Sequence, residues 1–176
     1  MPQVVYNRSM PAPRKTGVVI GVVLLAIVLT GAAMFAAWRL AVAADEREYA
    51  SSKQQVEKAV AARDYDKGIT AMHSYVGGNW PRSHLYDAYV YLGTLYEMKG
   101  DYKQALLAYR QAESRNPGQR QAEIEAIGRV SEQLGDKKTA LAYYEKKLKA
   151  MQDGGFVDRE DILWMQAKIT KLKAAQ

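Results

Sequence analysis

The chain has no cysteine among its 176 residues, only two histidines and two phenylalanines, and five prolines. Without cysteine there is no thiol nucleophile, no thiolate metal site and no disulfide staple. The histidines, His73 and His84, stand on either side of a Gly77-Gly78/Trp80-Pro81 break, with no metal-ligand spacing such as a helical i, i+4 pair. Both read as surface or inter-repeat residues. No glycine-rich loop is present to cradle a phosphate, since Gly77-Gly78 and Gly154-Gly155 are pairs at helix ends. Neighbouring acids such as Asp64/Asp66 and Glu123/Glu125 are two residues apart and do not face one another on a helix. The expectation is a protein that is not an enzyme, with no catalytic residue, no bound metal and no cofactor.

Charge of one sign is also scarcer than the total suggests. The net charge is +6, but Arg8, Arg14, Lys15 and Arg39 hold four of those charges; from residue 40 onward there are 21 Lys and Arg against 19 Asp and Glu. A phosphate-backbone binder clusters its basic residues on one surface. The runs Lys137-Lys138, Lys146-Lys147-Lys149 and Lys168-Lys171-Lys173 read instead as solvated helix faces. No nucleic-acid partner is expected.

Glycine and proline are missing altogether from Ala32 to Lys67, and charge is missing from the 22 residues Gly17 to Trp38. A bilayer core needs about 20 apolar residues, so residues 17–38 are expected to span a membrane. Arg14-Lys15 and Trp38-Arg39 bracket the span as interfacial anchors. The run exceeds the roughly 7–15-residue apolar core of a cleaved signal peptide. Ala41-Val42-Ala43 does resemble a cleavage site, and a removed signal peptide stays as the alternative. The N-terminal flank holds Arg8, Arg14 and Lys15 with no acid, whereas the other flank mixes Arg39, Arg47 and Lys53 with Asp45, Glu46 and Glu48. Clustered Arg14-Lys15 on a short tail favours a cytoplasmic N-terminus. The rest of the chain then lies outside the cytoplasm, on the periplasmic side of an inner or plasma membrane. Gly17/Gly21, Ala32/Ala36 and Ala33/Ala37 have the small-xxx-small spacing of self-associating spans, and a homodimer through this helix is a further expectation. Residues 1–16, with three prolines and an Asn7-Arg8-Ser9 sequon, read as a disordered tail. Residues 39–48 read as a helical linker, continuous with the next helix or broken near Ala44-Asp45.

What is present in the remainder is a repeat. Leu92-Gly93, Gly100-Asp101, Ala105-Leu106 and Tyr109 return 35 residues later as Ile127-Gly128, Gly135-Asp136, Ala140-Leu141 and Tyr144. Self-similarity at this period marks a stacked helix–turn–helix array. Tyr89, Leu92, Gly93 and Tyr96 fall at helical spacing on one face. Gly100 suits a left-handed helix end. With Tyr102, Ala105, Tyr109, Ala112 and a closing Pro117, the stretch Tyr86–Pro117 resembles the tetratricopeptide repeat (TPR) family over its whole length. A second unit, about 121–154, departs from the pattern at Ser131 and Lys147. An upstream unit, about 49–81, keeps Asp64-Tyr65 and Trp80-Pro81 but has Gly68 where alanine is usual. Asp158 reads as the N-cap of a closing helix over about 158–174, with Ile162, Met165, Ile169 and Leu172 inward, Lys168 and Lys171 outward, and Trp164 unexplained. The expected fold is therefore all-α: a transmembrane helix, a TPR-like solenoid over 49–176 and a C-terminal capping helix.

The resemblance implies an interaction module. In TPR families the first helix of each repeat lines a groove that holds a partner segment. Carried onto this sequence, the groove positions are Asp87, Val90, Thr94, Glu97, Met98, Glu125, Arg129 and Glu132, with Lys53 and Glu57 in the upstream unit. The expected function is a membrane-anchored scaffold or assembly factor of an envelope or secretion machine, bound to protein partners of a membrane complex. By layout alone it is similar to accessory subunits of the bacterial Sec translocon. The alternative is a cytosol-facing, membrane-tethered co-chaperone adaptor. Val90 and Thr94 do not match the carboxylate clamp of that class. Tyr89, Tyr96, Tyr102 and Tyr109 are explained by repeat packing, whereas Tyr86 and Tyr91 are not demanded by it.

Overall fold

The structure, a computed structural model, describes residues 15–78, 82–115, 122–154 and 158–175, with side chains from residue 20 onward. The N-terminal tail as far as residue 14, Trp80-Pro81, Pro117 and Gly155 lie outside the described residues. Seven α-helices and no strand occur among the described residues: α1 Lys15–Ala61, α2 Tyr65–Val76, α3 Leu85–Lys99, α4 Tyr102–Arg115, α5 Ala122–Gln133, α6 Lys137–Asp153 and α7 Arg159–Ala174. The chain divides into two units, Met1–Ala43 and Ala44–Gln176.

In the first unit, every side chain from Ile20 to Leu40 is exposed. The most apolar window of α1 has a mean hydropathy of 2.5, none of it buried, so by length and composition this helix can cross a membrane. A core helix would bury such a surface, because apolar area left in water forfeits about 25 cal/mol per Å2.

The second unit stacks three helical pairs, α1–α2, α3–α4 and α5–α6, and closes with α7. Their tight turns share one design. Asp101 and Asp136 donate their backbone N–H to Tyr96 and Ser131 at 2.9 Å, while Gly100 and Gly135 hold φ of 84° and 78°. Asp101 then accepts from the N–H of Gln104 and Asp136 from that of Thr139, capping the next helix. The recurrent Gly-Asp thus ends one helix and starts another. In the first pair Arg63 takes the left-handed place at φ 56°, followed by Asp64 as cap.

Packing within the later pairs follows from their glycines. A Cβ on Gly93 would lie 2.5 Å from the Tyr109 ring, and one on Gly128 would lie 2.7 Å from that of Tyr144. Each tyrosine is buried against its glycine because nothing but hydrogen stands there. Shifted by 37 residues instead of 35, the first pair matches with buried Val56 and Met72 at these two positions. Gly68 also acquires a reason: a Cβ there would come within 3.1 Å of Leu95.

On α7, Asp158 caps through the N–H of Glu160, and Met165, Ile169 and Leu172 bury against Ala140, Tyr144 and Met151. Lys168, expected to point outward, instead lies 4.7 Å above the Tyr144 ring and 3.3 Å from Glu132. Its aliphatic stem follows the helix onto the repeat while the ammonium reaches the carboxylate. Trp164 is 54% exposed.

Candidate protein-binding groove

The first helices of the three pairs, α1, α3 and α5, enclose two hollows that meet at the C-terminal half of α3. One, of about 410 Å3, lies between α1 and α3 and is walled by Val56, Val60, Tyr91, Leu95 and Met98, with Glu57 at its edge. The other, of about 430 Å3, lies between α3 and α5 and is walled by Glu97, Tyr102, Arg129 and Gln133. Thr94 and Met98 border both. A third hollow, of about 380 Å3, brings Glu125, Lys147, Met151 and Trp164 together where α5, α6 and α7 meet. Each lies within the roughly 300–1,000 Å3 range of ligand-sized clefts.

Electrostatically the α3/α5 hollow is already satisfied. Arg129 donates from Nε and Nη2 to the two oxygens of Glu97 at 2.6 and 3.0 Å, and Tyr109 adds its hydroxyl at 3.0 Å. Burial by itself would raise the Glu97 pKa; the Arg129 hydrogen bonds and charge outweigh it and hold the carboxyl below its ordinary range. Burial pushes the Tyr109 hydroxyl up to about 12, with Thr94 opposing and Glu97 reinforcing the shift. The same contact recurs 35 residues on, where Tyr144 donates to Glu132 at 3.0 Å and Lys168 completes the pair.

A second polar cluster fastens the first pair. Asp45 is 1% exposed, accepting from the Tyr75 hydroxyl and the Ser83 N–H, both at 2.8 Å. Arg82, 4% exposed, reaches Asp45 at 3.4 Å and grips Glu48 with two bonds of 2.8 and 3.0 Å. Burial opposes ionisation of Asp45, yet these donors keep its pKa below the usual value. His84 stacks on Tyr49 with its Nε2 3.1 Å from Glu46, and His73 bonds the Tyr96 hydroxyl at 2.9 Å. Among the described residues no cluster of His, Cys, Asp and Glu has the makings of a metal site.

The sequence-derived groove residues therefore separate. Thr94 and Met98 line the groove, and Lys53 and Glu57 lie on α1, of which Glu57 edges the apolar hollow. Glu97 and Arg129 also border the groove but hold each other. Val90 is partly buried against Ala105, Tyr109, Ala126, Ile127 and Val130, between the second and third pairs, and borders neither hollow. Asp87 borders none of the three hollows, Glu125 belongs to the third, and Glu132 is paired with Tyr144 and Lys168. Tyr86 is buried, donating to Glu123 at 2.5 Å, whereas Tyr91 forms part of the apolar wall. Val60 and Gln133 carried no signal in the sequence beyond their place on the inner helices, and Tyr102, read there as repeat packing, also walls the α3/α5 hollow. Lys146, read as a solvated residue, pairs with Glu113 on α4 at 2.5 Å.

Residues 86–119 match the tetratricopeptide repeat family model. The matched stretch includes the α3–α4 pair, and an all-helical fold of this type is typically a non-catalytic protein-interaction module. No curated protein matches the sequence. Among solved structures, the chain is similar to one from a T3SS complex of Aeromonas hydrophila, at 13% identity and a TM-score of 0.59, over 74% of this chain and 81% of that one. At that identity the likeness is one of fold.

Proposed function

We propose that this chain is a membrane-anchored scaffold or assembly factor that holds a segment of a protein partner against the inner helices α1, α3 and α5. The observation that carries the reading is the pair of adjoining hollows sharing Thr94 and Met98. Such a continuous trough suits an extended or helical segment, contacted by several repeats at once. The apolar, unburied part of α1 supports an anchor, and the Lys/Arg distribution supports a cytoplasmic N-terminus with the repeats on the periplasmic side. A partner within an envelope or secretion machine accords with that placement and with the fold shared with a component of a T3SS complex.

The test combines topology and cross-linking. A periplasm-active reporter fused after Gln176 is expected to be active, and full-length protein is expected to resist alkaline extraction from membranes. Photo-cross-linkers at Met98 are expected to trap a defined membrane-complex subunit, while the same group at Leu107, exposed on α4, traps none. A mature N-terminus at Ala44 or Asp45 removes the anchor, and an active cytoplasmic reporter restores the co-chaperone alternative. Self-association of the span belongs to the same reading: Gly17→Ile with Gly21→Ile is expected to abolish detergent-resistant dimers.

A further inference from the structure

We infer that the hollow between α1 and α3 is the principal docking subsite, and that its occupant is a partner segment carrying a bulky apolar side chain close to a lysine or arginine. This rests on the groove reading above and names the chemistry that the groove selects. The three hollows differ in what they leave unsatisfied. Between α3 and α5, Glu97 and Arg129 complete one another through two hydrogen bonds. The third is lined by charges of both signs, Glu125, Lys147 and Asp161. Between α1 and α3 the walls are Val56, Val60, Ala61, Tyr91, Leu95 and Met98, and they offer water almost no hydrogen bond. Water in such a place is poorly held and is readily displaced by an apolar group.

The origin of this hollow is a departure from the repeat. Val60 stands at the position where the second and third pairs place Glu97 and Glu132. With no carboxylate there, no tyrosine–carboxylate–cation clamp forms across the groove. Met98, 49% exposed, forms a flexible and polarisable lip able to adapt to aromatic or branched side chains. Charge supplies the second half of the specificity. Glu57 at the rim is exposed, and it has no hydrogen bond or ion pair among the described residues. A cation beside the inserted apolar group answers it, and an acidic segment is repelled.

The experiment uses the full-length chain in lipid nanodiscs and a random-peptide phage library as probe. Enriched peptides are expected to join Leu, Ile, Met or Phe to Lys or Arg. Fluorescence anisotropy with a synthetic version is expected to show binding weakened about tenfold or more by Met98→Glu and by Val60→Glu. Glu57→Lys is expected to weaken it several-fold, with the loss shrinking at high salt. Helicity and thermal melting of Met98→Glu, whose side chain is exposed, separate lost binding from lost folding. Enrichment of acidic peptides, no enrichment, or binding indifferent to Met98→Glu and Val60→Glu overturns the inference. If binding instead falls with Gln133→Trp, which fills the α3/α5 hollow, the groove reading stands and this subsite does not. If it falls only with Leu107→Glu on α4, both are overturned.

Discussion

In the second and third helical pairs a tyrosine ring lies on a glycine, Tyr109 over Gly93 and Tyr144 over Gly128, and its hydroxyl reaches a carboxylate on the inner helix. The first pair keeps the same frame without any of these parts. Met72 fills the place of the tyrosine, Val56 that of the glycine, Val60 that of the carboxylate and Arg63 that of the turn glycine. Bulk moves between the helices in the swap: the α1 position gains a valine side chain where the later pairs have glycine, and the α2 position carries methionine where they have tyrosine. Polarity is not conserved. The later pairs end with a charged, self-satisfied inner surface, and the first ends with an apolar one. Stacking therefore tolerates two solutions to the same packing problem, and the choice between them sets what the groove presents.

Exchange of the two solutions is the most severe test of this comparison. Tyr109→Ala removes a buried aromatic and is expected to cost about 3–5 kcal/mol in urea unfolding followed by circular dichroism. Gly93→Val, which drives a branched side chain into the ring, is expected to cost about 1–3 kcal/mol or more. Gly93→Val combined with Tyr109→Met recreates the arrangement of the first pair and is expected to recover most of that loss. A double variant no better than the sum of the singles breaks the volume-exchange argument.

Next in size is the clamp between the second and third pairs. Glu97→Ala is expected to cost about 1–2 kcal/mol, because the side chain is only 19% exposed and its loss strands Arg129 beside a tyrosine hydroxyl. Reversal to lysine costs more, so a charge reversal here reports on folding before it reports on binding. Val60→Ala at the matched place strands no charge, and its smaller cost by the same assay sharpens the contrast.

Ionisation gives two windows with opposite signs. Asp45 and Glu97 have folded pKa values below their ordinary range, so their contribution is complete above about pH 5 and is lost as pH falls through the depressed values. Tyr109 and Tyr143 are pushed up to about 12, so their contribution is complete below about pH 10 and fades between about pH 10 and 12. Melting temperature against pH is expected to flatten on the acid side in Asp45→Asn and on the alkaline side in Tyr109→Phe. Unchanged slopes in both variants dismiss these groups as the titrating ones.

The smallest effect is a gain. Arg63 holds a left-handed conformation that costs a side-chain-bearing residue roughly 1–2 kcal/mol. Arg63→Gly is expected to stabilise by about 1 kcal/mol, whereas Gly100→Ala and Gly135→Ala destabilise by a similar amount. Loss of stability in Arg63→Gly means that the arginine side chain contributes more than the turn costs it.

Much of this protein is written in local signals that act within one helix or turn. Glycine followed by aspartate ends a helix and caps the next, whatever surrounds it, so Gly100-Asp101 and Gly135-Asp136 fixed the later turns. Asp158 did the same for α7. The 35-residue recurrence then implied stacking, because no single pair buries its own apolar face. Helical spacing also named the faces, but only to within the breadth of a face. Thr94 and Met98 border both hollows, whereas Val90, one turn away, packs into the joint between pairs. Which charges remain available was decided in three dimensions. Glu97 and Arg129 are 32 residues apart and Asp45 and Arg82 are 37 apart, and only the stacking of successive helices brings each pair within bonding distance. Lys168 is drawn onto Tyr144 and Glu132 for the same reason. A hydrogen bond or ion pair depends on through-space distances of about 3 Å, and no periodicity along the chain encodes those; the hollow left between Val60 and Met98 was likewise visible only once the walls were assembled.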